Sequence, residues 1–190
     1  MKKSSLIFAA ALLLTGGFAC TKQSLQATYD TQETTIDNFV QAQLKADSTA
    51  TVTYNEGAVR VTLHDTLVHE GLAADSLRQG GTVSLYYAGY TLSGASVSSA
   101  NLFDTNRAQT ASDAGWALTD STVFTIATLV LDDTLLEGLR YGLEGVQGQD
   151  ECYILFSGKL GYGSRVQGMI PARSALVYHI WVNSIDNENQ

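Results

Sequence analysis

Proline is almost absent from this chain: of 190 residues one, Pro171, is a proline, against 17 glycines. Turns must therefore be made mostly by glycine, and a proline-rich linker is excluded. Cysteine is nearly as scarce. Cys20 and Cys152 are the only two, too few for a disulfide framework or a zinc ribbon. Basic residues are few as well: 11 Lys and Arg stand against 19 Asp and Glu, a formal net charge of −8. Without a basic face the chain has nothing to neutralise phosphates, so a nucleic-acid partner is not expected. The apolar run Leu6–Leu14 has nine residues, short of the ~20 a spanning helix needs. There is no Gly-x-Ser-x-Gly elbow for a serine hydrolase. Gly161-x-Gly163-x4-Gly168 has the wrong spacing for a phosphate loop and no lysine after it. What is present is a chain 45% hydrophobic with nine tyrosines. That is enough apolar surface for one packed domain, and it points towards strands.

The first twenty residues read as an address. Lys2 and Lys3 form a basic head, the apolar run follows, and a small, flexible stretch leads to Ala19-Cys20. That order is the order of a secretory signal. Ala19 before Cys20 is similar to a bacterial lipoprotein cleavage box, with Gly17 where leucine is usual. The resemblance implies cleavage before Cys20 and lipidation there. Removing Lys2 and Lys3 would take the net charge from −8 to −10. Several acyl chains on one cysteine would hold the protein stably at a membrane. Thr21, in place of an aspartate, implies the outer membrane of a Gram-negative bacterium, with the domain facing the periplasm. Cys152 sits in the apolar run Cys152–Phe156 and reads as a buried, inert thiol.

Residues 20–33 are polar and without period, the pattern of a tether. Ile36, Phe39, Val40 and Leu44 fall at helical spacing, so a helix is expected over 34–47, capped by Thr34 or Thr35. Two alternating segments, 51–54 and 58–63, flank Asn55-Glu56-Gly57 and predict a hairpin. Together they form an N-terminal extension over 34–78. Further strands are expected at 82–90, 123–126, 152–156 and 176–185, with a long loop at 93–115. Leu135, Leu136, Leu139 and Leu143 form a helical stripe, with Asp132 or Asp133 as its cap. Residues 186–190 are a tail.

The segment 79–185 carries an ordered set of short motifs. These are Tyr87-Ala88-Gly89, Phe103-Asp104-Thr105-Asn106-Arg107, Phe124 and Leu135-Leu136-Glu137-Gly138-Leu139. Leu160-Gly161-Tyr162-Gly163, Met169-Ile170-Pro171 and Leu176-Val177-Tyr178 complete it. In this order they resemble the FKBP family, the tacrolimus-binding type of peptidyl-prolyl cis-trans isomerase. The fold implied is α+β: a twisted antiparallel sheet of about five or six strands wrapped around one short helix, behind the N-terminal helix and hairpin.

The resemblance also implies a site between helix and sheet, at Tyr87, Phe103, Asp104, Phe124 and Leu135, and at Leu136, Leu139, Tyr162, Ile170 and Tyr178. Its partners would be unfolded or proline-containing polypeptides, with a tacrolimus-type macrolide as a possible ligand. Rotation about an X–Pro bond needs no cofactor and no metal. The Tyr162 hydroxyl would hold a substrate carbonyl, and Asp104 would orient its neighbours at the edge. Alternatively, the groove could hold peptides without turning them over, as a non-catalytic chaperone lipoprotein. Three departures bear on the choice. Leu139 stands where the family usually has an indole. Gly94 and Phe103 are nine apart where about three is usual, an insertion expected beside the site and reshaping its rim. Ala172 replaces a second proline. His64 and His69, five apart with Asp65 and Glu70, have neither strand nor helix spacing for a shared metal.

Overall fold

Two residues close the first hairpin. Glu56 and Gly57 both take left-handed backbone angles, φ 48° and 89°, the combination of a two-residue turn whose twist suits the flanking strands. Strands β1 (Thr51–Asn55) and β2 (Ala58–Leu63) leave it in the register Asn55 to Ala58. The computed structural model describes residues 16–63, 75–119 and 121–187, with side chains from Lys22 onward except that of Ser121. The Leu6–Leu14 run, His64 and His69 lie outside the described residues. No helix among those described is long and apolar enough to cross a membrane.

Helix α1 spans Gly16–Ala46. The helix expected at 34–47 is therefore the end of a longer one, and residues 21–33 are helical rather than aperiodic tether. Thr34 and Thr35 lie inside it, not at its start. Their hydroxyls donate to the carbonyls of Asp30 and Thr31, one turn back, at 3.0 and 2.9 Å. That bonding masks their polarity within a helix.

The remaining strands are β3 (Thr82–Thr91), β4 (Leu102–Thr105), β5 (Ala127–Val130), β6 (Glu151–Phe156) and β7 (Leu176–Asp186). The sheet is antiparallel throughout, in the order β1-β2-β6-β7-β3-β4, with β5 also on β3. Among the described residues it has seven strands rather than five or six because the hairpin joins it: β2 pairs with β6 from Ala58–Phe156 to Leu63–Glu151. The expected loop at 93–115 contains β4 and helix α2 (Ala108–Asp113). The strand expected at 123–126 lies four residues later, as β5. Residues 121–123 form a 3-10 turn, and Phe124 sits in the bend after it.

Both faces of the sheet are buried. On the front, Val83, Leu85, Ile154, Phe156, Leu176 and Ile180 pack against Leu139 and Leu143 of helix α3 (Glu137–Leu143). On the back, Ile36, Phe39 and Val40 of α1 cover Val59, Val61, Ala88, Leu155 and Val177. Strands covered on both faces need no polar alternation, which is why Cys152–Phe156 reads as one apolar run. Asp132 does not cap α3. It accepts from the Thr134 amide and hydroxyl in a turn upstream, and Leu136 occupies the cap position. Gly138 and Gly142, one turn apart, let α3 lie directly on β6: a Cβ at either would land on Phe156 or Ile154.

The hairpin finishes this helix. Arg60 Nη1 donates to the Gly142 and Glu144 carbonyls at 2.9 and 2.6 Å. Asn55 Nδ2 donates to the Tyr141 carbonyl at 3.1 Å. A cation on the last carbonyls satisfies orphan acceptors and opposes the helix dipole.

Candidate active site

The site is built around one ring. Tyr178, on β7, is 7% exposed and lies among Phe103, Phe156 and Tyr87, with centroids 5.8, 6.0 and 6.5 Å away. Phe103 meets it edge-on, whereas Phe156 is nearly parallel at 17°. Gly89 makes the Phe103 contact possible, since a Cβ there would come within 2.6 Å of the Phe103 ring. Edge-to-face and offset pairs of this kind gain beyond their buried area.

The Tyr87 hydroxyl donates to Asp104 Oδ2 at 2.8 Å. Burial, then this hydrogen bond, then the carboxylate charge raise the Tyr87 pKa well above the ordinary phenol value. Tyr178 is raised further still, first by burial and then by Tyr162, Asp104 and Tyr87 around it. Both phenols stay neutral. The site is an enclosure of neutral rings with one carboxylate at its edge.

Asn106 fixes that edge. It is 5% exposed. Its Oδ1 accepts from the Tyr87 amide at 2.7 Å, and its Nδ2 donates to the carbonyls of Leu85 and Thr125 at 3.1 and 3.0 Å. Thr105 adds a bond from its hydroxyl to the Tyr87 carbonyl at 2.6 Å. Three segments, β3, β4 and the bend holding Phe124, are thereby tied at one side chain. A buried amide with its capacity filled is costly to disturb.

Most of the residues singled out in the sequence come together here. Tyr87, Phe103, Leu135, Leu136, Leu139, Tyr162, Ile170 and Tyr178 all belong to the front cluster, and Asp104 joins it through Tyr87. Phe124 is partly buried but stands outside that cluster. Gly89, Asn106 and Gly138 stand within the motifs quoted above without a role assigned to them, and Phe156 is read there only as part of an apolar strand. The spacing of Gly138 and Gly142 was visible but was not read as a helix lying on a sheet.

The insertion between Gly94 and Phe103 goes elsewhere than expected. Val97 and Leu102 pack into the back cluster, under the other face of the sheet. With Tyr90, Arg107, His179 and Trp181 they line a groove of about 200 Å³ there. His179 in this wall accepts or donates a 2.7 Å hydrogen bond with Glu151 and stacks on Tyr153. Burial lowers its pKa, against the pull of Glu151. Cys152 is fully buried and its thiol is pushed up to about 12, mainly by desolvation. It is not a nucleophile at neutral pH.

No family model matches the sequence, and no curated protein matches it. Solved structures do match. A peptidyl-prolyl cis-trans isomerase from Pseudomonas syringae pv. tomato is similar with a TM-score of 0.54 at 16% identity, over 86% of this chain and 96% of that one. FkpA from Escherichia coli is similar with a TM-score of 0.53 at 16% identity. The match covers 89% of this chain but only 66% of FkpA. The three FKBP domains of wheat FKBP73 give 0.54 at 14% identity, over 72% of this chain and 50% of that one. The fold is FKBP-like. At these identities the likeness to the FKBP structures is one of backbone architecture. The chemistry rests on the side chains described above.

Proposed function

We propose that this chain is a peptidyl-prolyl cis-trans isomerase acting on X–Pro bonds of exported or envelope polypeptides. The observation that carries the reading is the neutral ring enclosure of Tyr87, Phe103, Phe156 and Tyr178, with the Tyr87–Asp104 bond at its edge. A planar imide resists rotation by about 18–20 kcal/mol through resonance. Twisting it breaks no covalent bond and makes it less polar. Low-polarity walls therefore favour the twisted form over the planar one, which is the differential binding that catalysis requires. The Tyr162 hydroxyl holds a substrate carbonyl, and Asp104 orients the Tyr87 hydroxyl. A tacrolimus-type macrolide would compete for the same walls.

The surroundings suit an unfolded client. Val166 and Met169, on the loop carrying Tyr162 and Ile170, are 68% and 69% exposed, and Val123 next to Phe124 is 55% exposed. The protein is anchored through lipid on Cys20, in the outer membrane and facing the periplasm, where newly exported chains carry unpaired prolines. The test is refolding of a protein whose slow phase is an X–Pro isomerisation. The full chain is expected to speed that phase at substoichiometric concentration. Suppressed aggregation with an unchanged slow phase would replace the isomerase by a holding role.

A further inference from the structure

Helix α1 reaches the loop that presents Tyr162. This loop leaves β6 after Phe156 and returns at Leu176, and its two ends cross closely: a Cβ on Gly158 would meet the Arg173 backbone at 2.6 Å. Gln32 sits over the crossing. Its Oε1 accepts from the Gly158 amide at 2.9 Å, and its Nε2 donates to the Arg173 carbonyl at 2.5 Å. One side-chain amide thus closes both ends of the loop, 126 and 141 residues away in sequence. Inside the loop, the Gly163 amide donates to the Gly158 carbonyl, and the Arg173 amide to the Gly163 carbonyl at 2.6 Å. Arg173 holds a left-handed φ of 62° there. The residue after Tyr162 is therefore bonded to both atoms' neighbours in the Gln32 bridge.

The contact is part of a continuous face. Tyr29, Gln32, Ile36, Phe39 and Val40 follow helical spacing, and Tyr29, Ile36, Phe39 and Val40 are all under 9% exposed. Lys159 adds an exposed ion pair to Glu33 at 3.1 Å and lies over the Tyr29 ring at 5.3 Å. The face that buries α1 on the sheet thus continues onto the loop without a break.

We infer that Gln32 is a positioning residue: through the Gly158–Arg173 crossing it sets the loop that brings Tyr162 and Ile170 to the site. The catalytic half of this inference rests on the isomerase reading above. The loop-ordering half does not.

The test uses Gln32→Ala in the full chain, with Glu33→Ala as comparator. The comparator removes only an exposed ion pair of small worth. Amide exchange at Gly163 and Arg173 is expected to quicken roughly tenfold in Gln32→Ala and to stay near wild type in Glu33→Ala. The isomerase kcat/KM is expected to fall severalfold in Gln32→Ala, and by much less when Tyr162→Phe is already present, because the effect passes through that hydroxyl. Unchanged exchange at Gly163 and Arg173 in Gln32→Ala would overturn the inference. So would a fall in kcat/KM that is the same with and without Tyr162→Phe. A wild-type chain with no isomerase activity would sink the functional reading instead, and the exchange rates would still decide the bridge.

Discussion

A chain shortened to residues 79–190, the segment carrying the motif pattern, is expected to lose cooperative folding. The cut removes β1 and β2, so β6 loses one of its two hydrogen-bonded neighbours from Glu151 to Phe156 and keeps only β7. It removes Arg60 from the end of α3. It also uncovers Leu155, Val177, Ala88 and Tyr90 on the back of the sheet. The buried side chains of Ile36, Phe39 and Val40 alone contribute about 6 kcal/mol at ~2 kcal/mol each. A domain's whole stability is about 5–15 kcal/mol. Urea unfolding followed by tryptophan fluorescence checks this, since Trp116 and Trp181 both pack on the back cluster. The full chain should give one sigmoidal transition and the shortened chain a shallow, uncooperative one. A shortened chain with the full chain's midpoint would show that α1 and the hairpin are dispensable.

Gly138→Ala is expected to destabilise the protein by about 2–3 kcal/mol, the upper part of the range for overpacked sites. Alanine is the better helix former by ~1 kcal/mol, so on propensity alone the change would stabilise. Packing decides the sign. The new Cβ lands on Cγ of Phe156, a fully buried ring held from β6, and a ring's root atom cannot swing aside as a flexible chain end does. Either α3 lifts from the sheet or Phe156 tilts off Tyr178. Thermal unfolding should show a midpoint lower by roughly 5–10 °C. Activity per folded molecule should fall too, because Phe156 is a wall of the site. An unchanged or raised midpoint would mean that α3 does not lie on β6 at this distance.

The sequence made some of this legible and hid the rest for physical reasons. The hairpin was readable because Asn55-Glu56-Gly57 carries its own turn chemistry. The strands β3, β6 and β7 were readable from runs of apolar and β-branched residues. Helix α1 was visible only where its stripe is apolar, at Ile36, Phe39, Val40 and Leu44. Upstream its buried contacts are made by Tyr29 and Gln32, and a lone aromatic or a polar side chain that bonds a distant backbone looks like a solvent-facing one. Periodicity also says that a helix has a buried face without saying which surface it buries. The covering of the sheet's back, and with it the place of the hairpin in the main sheet, could not follow. The strand expected at 123–126 failed because Val123 ends a 3-10 turn and Ile126 lies in the exposed link before β5, with the bend between them fixed by the Asn106 bond to Thr125. A buried asparagine bonding two backbone groups of β3 and one of a distant bend leaves no periodic pattern, and Asn106 stands out only within its motif. The site residues came from an ordered set of motifs, and no single spacing would have assembled Tyr87, Asp104 and Tyr178 around one ring.

The measurement that bears most directly on the account is cis-trans exchange in a short peptide with one X–Pro bond, followed by NMR with the full chain at catalytic concentration. Exchange should be faster than background and suppressed by tacrolimus. It should be slower by roughly threefold to tenfold with Tyr162→Phe, the loss of one hydrogen bond to substrate, and slower also with Asp104→Ala. Exchange at the background rate, from a sample shown to be folded, would contradict the isomerase reading of the Tyr87–Tyr178 site.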